Sequence, residues 1–253
     1  MSGRLFLLPA PLIPYSPEAW SPEALALHLP ARALGLYASL DSFIVESERS
    51  ALRLLSRFKD SESMKRLRIR ILDEHSRESE LPSLLEDLEQ GLDCGFLSEA
   101  GMPCIADPGA ALVACARKSG AQIIPVSGPS SIFLGLSASG LDAQRFSFLG
   151  YLPQNGGERK ACIARLSSDA LRDGITRVFI ETPYRNKALV EDLVALLPDS
   201  IWLCVASDLC GAQERIISAP AAEWRLSRYV GPGKVPAIFL VGKKAGLRPP
   251  NSR

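Results

Sequence analysis

Short apolar runs that take turns with helical segments constrain this chain more than any other feature. Leu5–Leu8, Phe43–Val45, Cys94–Ser98 and Ala121–Val126 read as buried strands, the first stopped by Pro9 and Pro11. Helical patterns fill the gaps. Pro22–Leu34 has Ser21 as cap and Pro22 at the first helical position, with Pro30 interrupting it. Arg49–Phe58 carries an apolar face, Leu81–Leu92 is amphipathic, and Ala110–Ser119 ends at Gly120. Lys65–Arg70 alternates charge with aliphatics, as an edge strand with one wet side does. Such alternation over the first ~140 residues is the pattern of a doubly wound parallel α/β sheet.

The second part differs. Strands at 146–151, 178–180, 201–206, 212–217 and 235–241 have only helices 158–171 and 186–197 among them. Few crossovers predict a mixed or antiparallel sheet. The expected organisation is an N-terminal α/β domain at 1–126, a C-terminal mixed-sheet α/β domain at 127–243 and a flexible tail at 244–253.

With 47% apolar and 23% charged residues, 253 residues can bury full cores without staples. The net charge of +1 argues against a protein that grips long nucleic acids through many phosphates, and leaves room for a local basic patch. None of the six cysteines pairs at a two-residue gap, and only two histidines are present. No metal site is expected, and the cysteines read as reduced small hydrophobes. No secretory signal and no run of 18 apolar residues stands out, so no membrane span and a cytoplasmic address are expected.

Chemistry is expected in the loops after the strands, where open α/β sheets bind ligands. Ser98–Gly109 runs from a strand to a helix. Gly101 permits close backbone approach there, and Pro103 and Pro108 stiffen the loop. Ser127–Ser131 also joins strand to helix; it suits an anion, or is an ordinary Ser cap. Glu46-Ser47-Glu48-Arg49 follows the second strand and offers proton acceptors, or is a helix start with Glu at the positive dipole end. Glu181-Thr182-Pro183-Tyr184-Arg185 is a polar cluster, or a helix entry. Neither G-x-G-x-x-G nor G-x-x-x-x-G-K-[ST] occurs, so no Gly-rich phosphate grip is expected.

These motifs, in this order over residues 4–243, resemble the tetrapyrrole-methylase superfamily. The similar elements are Leu8-Pro9-Ala10-Pro11, Ser98–Gly109, Gly128-Pro129 with its small-residue helix, Gly150-Tyr151-Leu152-Pro153, and Glu181–Arg185. The likeness is narrower still to a short-form subgroup of the branch that methylates a cytidine 2′-hydroxyl of small-subunit ribosomal RNA.

The resemblance implies a two-domain fold with S-adenosyl-L-methionine held between the domains, a homodimer, and ribosomal RNA or the small subunit as substrate. Cofactor positions by this likeness are Pro9, Gly101, Met102, Ile105, Ala106, Ser130, Ser131, Thr182 and Ala206. Three departures stand on the substrate side. Pro11-Leu12-Ile13-Pro14 lacks the family's Gly and Asn, Ser47 replaces an Asp, and Glu99 replaces another.

A ribose hydroxyl needs a base, and Glu46, Glu48 and Glu99 are the candidates, Glu46 favoured. Arg49, Arg185 and Tyr184 are candidate RNA contacts, and Lys65–Arg70 is either an RNA path or a solvated edge. Two other readings stay open: methylation of a tetrapyrrole or other small molecule, and a non-catalytic cofactor- or RNA-binding homologue.

Overall fold

The computed structural model describes residues 2–227 and 231–246. Two compact units divide the chain, residues 1–130 and 131–253.

The first unit is a five-stranded sheet in the order β3-β2-β4-β1-β5, with every neighbouring pair parallel. Its strands are β1 (Arg4–Leu8), β2 (Ser42–Val45), β3 (Arg68–Ile71), β4 (Cys94–Leu97) and β5 (Gln122–Pro125). Central strands β2 and β4 are buried along their whole length, as parallel strands covered on both faces must be. Crossovers carry α1 (Pro22–Ala26), α2 (Ala31–Ser39), α3 (Glu48–Leu55), α4 (Ser61–Lys65), α5 (Leu81–Leu84), α6 (Glu86–Glu89) and α7 (Gly109–Lys118). Leu5, Ile44 and Phe96 from the strands pack with Leu81, Leu88 and Leu112 from the helices.

Local chemistry explains the helix ends. Ser21 Oγ accepts the Ala24 N–H and caps α1, and Pro30 separates α1 from α2. Two expectations need correction. Leu81–Leu92 is not one helix: Leu85 leaves helical geometry (φ −94°, ψ 2°), and beyond it Asp87 turns inward to Ser42 and Arg70. Only Arg68–Ile71 of the basic run is an edge strand, because Asp60 caps a helix over Ser61–Lys65.

Asp87 is buried, accepts the Ser42 hydroxyl at 2.6 Å, and pairs with Arg70 at 2.8 Å. The Arg70 bond, Ser42 and the Arg70 and Arg68 charges hold its carboxyl below the usual range, against burial. A depressed carboxyl stabilises the fold above its ordinary pKa, and that support is lost as pH falls through the depressed value. Asp87→Asn should cost about 3 kcal/mol in urea unfolding at neutral pH and flatten the acid limb of the stability curve.

The second unit contains α8 (Ser131–Ser139), β6 (Phe146–Tyr151), α9 (Gly156–Asp173), β7 (Thr176–Glu181), α10 (Asn186–Leu196), β8 (Trp202–Ser207), β9 (Arg215–Pro220), α11 (Ala221–Leu226) and β10 (Ala237–Gly242). Its sheet order is β6-β7-β10-β8-β9, with one parallel pair, β6 with β7, and antiparallel pairs elsewhere. Alternation along β8 and β10 feeds two cores. Leu203, Val205, Phe239 and Val241 face α9, α10 and α11, whereas Cys204, Ala206, Ile238 and Leu240 face α8.

The strand expected from residue 212 starts only at Arg215. Asp208 (φ 49°) and Cys210 (φ 66°) form a tight turn, and the Asp208 carboxylate binds the Gln213 N–H at 2.8 Å. The segment expected as a tail begins bonded, with Lys244 bridging Leu141 and the Ala245 N–H reaching Gly140 O. Residues 247–253 of that segment lie outside the described residues.

Candidate functional site

All strands of the first sheet run the same way, so their following loops share one edge. The order β5-β1-β4-β2 sets loops 126–130, 9–21, 98–109 and 46–47 side by side. The register is tight: Leu97 of β4 lies opposite both Leu8 and Val45. Pro9, Ser98 and Glu46 therefore sit one residue past a common row.

The end of β1 is anchored by two contacts. The buried Tyr37 hydroxyl donates to Pro9 O. Ala10 and Gly101 then exchange backbone hydrogen bonds at 2.8 and 3.0 Å, which ties this loop to the loop after β4. Gly101 holds φ 72°, a left-handed geometry that glycine adopts without strain. Loop 127–130 closes in from the other side. A Cβ on Gly128 would lie 2.0 Å from Pro9 Cβ, so only glycine allows this approach.

The loop after β4 is held in an unusual shape. Cys104 and Ala106 both have positive φ, 67° and 64°. Such geometry costs on the order of 1–3 kcal/mol per non-glycine residue unless surrounding structure enforces it. Asp107 enforces it here: its carboxylate accepts the Cys104 N–H at 2.8 Å and the Gly109 N–H at 2.7 Å. Burial raises the Asp107 carboxyl, and these backbone bonds pull it down. The Cys104 thiol is pushed up to about 12, first by burial, so it stays protonated at neutral pH. Ile105 and Ala106 are exposed at the loop's crest, and Met102 is half-buried.

Glu46 is the half-buried acid of the site. Its Oε2 accepts the Glu99 N–H at 3.0 Å, and its own N–H donates to Leu97 O. Burial is the main cause that raises its carboxyl above the ordinary range. The Glu99 N–H opposes the rise, and the Asp107, Glu99 and Glu74 charges reinforce it. Glu99 is exposed and accepts the Ser50 hydroxyl at 3.0 Å. Glu48 and Arg49 are exposed in the first turn of α3, whose cap is Ser47. Ser47 Oγ accepts the Ser50 N–H at 3.4 Å and so caps the helix. Beside Glu99 lies a depression lined by Ala10, Trp20, Ser47, Ser50, Leu54 and Ser98. Ser98 Oγ is buried and has no hydrogen-bond partner.

Sites expected in the second unit have their own settings. Thr182 follows β7, and its N–H and hydroxyl both donate to Glu181. Arg185 is committed to Glu181 at 2.5 Å, and its guanidinium lies 5.6 Å from the ring centre of Tyr184, which is 71% exposed. Ala206 is fully buried beneath α8 and packs with Ile132 and Ile238. Ser131 opens α8, and Ser130 is half-buried at the end of the first unit.

The profile of tetrapyrrole (corrin/porphyrin) methylases matches residues 28–224, most of the chain. The chain belongs to the tetrapyrrole methylase family. Among curated relatives, the ribosomal RNA small subunit methyltransferase I of Vibrio cholerae is 32% identical over 192 residues, covering 76% of this chain and 64% of the relative. The Escherichia coli O157:H7 protein of the same name is 28% identical over 221 residues, covering 87% and 70%. The chain thus spans less than two thirds of the Vibrio methylase.

Two solved methylases share the fold. Uroporphyrin-III-C-methyltransferase from Thermus thermophilus aligns with TM-score 0.52 at 18% identity, over 96% of this chain and 93% of that one. The methyltransferase CobJ aligns with TM-score 0.60 at 15% identity, over 98% and 97%.

Sequence reasoning passed over several residues of this site. Asp107 lies within the Ser98–Gly109 segment, and its local signal is an Asp two residues before a Gly, the pattern of an Asx turn. Tyr37 and Ser50 carry no local signal, since each acts on a residue distant in sequence.

Proposed function

We propose that this family member transfers a methyl group from S-adenosyl-L-methionine to a ribose 2′-hydroxyl, that of a cytidine, in small-subunit ribosomal RNA. One observation carries the reading: a half-buried carboxylate of raised pKa, Glu46, stands at the strand edge and is bonded to the loop after β4 that carries Gly101 and Asp107. The names of the Vibrio and Escherichia relatives supply the substrate class.

The residues present fit such a cofactor. It is a nucleoside without phosphates, and the loops offer main-chain groups rather than a Gly-rich phosphate cradle. Among the described residues the Met102 and Ala106 N–H groups have no protein acceptor, so they remain open to an adenine or amino-acid edge. Pro9, Gly101, Met102, Ile105, Ala106 and Ser130 are its first-unit contacts in this reading. When bound, it supplies an activated methyl on sulfur.

The chain's own task is to orient the ribose and take its proton. Glu46 Oε2 is steadied by the Glu99 N–H, so the carboxylate keeps one direction. Deprotonated, it accepts the hydroxyl proton as the oxygen attacks. Glu99 and Glu48 are more exposed than Glu46.

The test pairs titration calorimetry with a methylation assay. Purified protein should bind S-adenosyl-L-methionine and label small subunits from a strain lacking this activity, leaving a uroporphyrinoid substrate unlabelled. Labelling of the uroporphyrinoid alone, or binding with no transfer, would overturn the RNA reading.

A further inference from the structure

The two arginine-rich segments of the first unit differ in their partners. In the run at 65–70, Lys65 pairs with Glu62, Arg68 with Asp87, and Arg70 with Asp87 and Glu86. Three of that run's four cations are paired with its own acids, and Arg66 donates to Ser63 Oγ instead. On α3 and the turn beyond it, Arg49, Arg53 and Arg57 recur every fourth residue, so they form one stripe that rises ~6 Å per step. Among the described residues none of the three meets a carboxylate in an ion pair.

The stripe is nonetheless shaped. The Arg53 guanidinium lies 4.7 Å from the Tyr15 ring centre and that of Arg57 5.7 Å. Arg57 also donates to the Tyr15 hydroxyl at 3.0 Å, and its Nε is buried with no acceptor. Tyr15 stands edge-on to Trp20, whose indole N–H fixes Ile13 O at 3.1 Å and whose ring lines the depression beside Glu99. Aromatic contact restrains the guanidiniums without cancelling their charge. Cations that are held in place and lack an internal anion suit an external one.

We propose that Arg49, Arg53 and Arg57, braced by Tyr15, form a phosphate track for the single-stranded RNA that flanks the nucleotide at Glu46. This rests on the RNA reading above and adds the direction in which the strand leaves the site. Arg49 is in the first turn of α3, two residues after the Ser47 cap that follows Glu46. The strand therefore runs from Glu46 along α3 toward Tyr15. The rise of ~6 Å per step along the stripe is of the order of the phosphate spacing of an extended strand, and each guanidinium offers the planar fork that grips a phosphate. A net charge of +1 is no obstacle, because three uncompensated charges on one stripe act locally.

The test is the salt dependence of binding to a fluorescent single-stranded oligocytidylate. Removing two phosphate contacts should lower the slope of log K against log salt by about 1.4, since each single-strand contact contributes about 0.7. Arg53→Gln/Arg57→Gln should show that loss and bind roughly tenfold or more weakly near 0.1 M salt. Its affinity for S-adenosyl-L-methionine should equal that of the parent, which also shows that the fold survives. Arg53→Lys/Arg57→Lys should keep the slope, and Lys65→Gln should leave it unchanged. A parental slope in the double Gln protein overturns the track while the RNA reading stands. Failure of the parent protein to bind the RNA at any salt overturns the RNA reading, and the track with it.

Discussion

Glu46→Gln should lower kcat for RNA methylation by at least ~100-fold, the lower bound for loss of a general base. Affinity for S-adenosyl-L-methionine should stay within about twofold, because the amide has the same shape and still accepts the Glu99 N–H at its oxygen. The pH profile separates a base from a positioning group. The base works deprotonated, and burial lifts this carboxyl above the ordinary range. Activity of the parent protein should therefore rise with pH through that elevated value, and the Gln protein should lose this limb. A Gln protein with parental turnover would move the base to Glu99 or Glu48.

Asp107→Ala should do the larger structural damage. It strips two backbone N–H groups of their acceptor and leaves Cys104 and Ala106 in left-handed geometry without a brace. Relaxation of that loop should cost about 3 kcal/mol of binding-competent structure. Since ~1.4 kcal/mol is tenfold, cofactor affinity should fall by roughly 100-fold in calorimetry. Asp107→Asn keeps one acceptor oxygen and should lose less. Equal affinity of the Ala and parent proteins would show that the loop does not depend on this carboxylate.

How much of this was legible in the sequence depends on the range of the interaction. The parallel sheet was readable because Phe43–Val45 and Cys94–Leu97 are short apolar runs that alternate with helical segments, as strands covered on both faces do. The Ser21 cap was readable because capping is decided within three residues. The break at Leu85 was not, because it follows from Asp87 turning to Arg70 and Ser42 across the fold.

The candidate site divides the same way. Gly101, Gly128 and Glu46 stood out by position after strands. Nothing local marks Ser98 Oγ as an orphan, or Tyr15 as the brace of two arginines. The basic run at 65–70 stands out by composition, yet Lys65, Arg68 and Arg70 are spent on Glu62, Glu86 and Asp87, a fact that only packing reveals.

The most direct measurement is mass spectrometry of nucleosides from small-subunit RNA after incubation with this protein and isotope-labelled S-adenosyl-L-methionine. Label in 2′-O-methylcytidine, absent with Glu46→Gln, is the predicted result. Label on a base, or cofactor bound with no label in RNA, would contradict it.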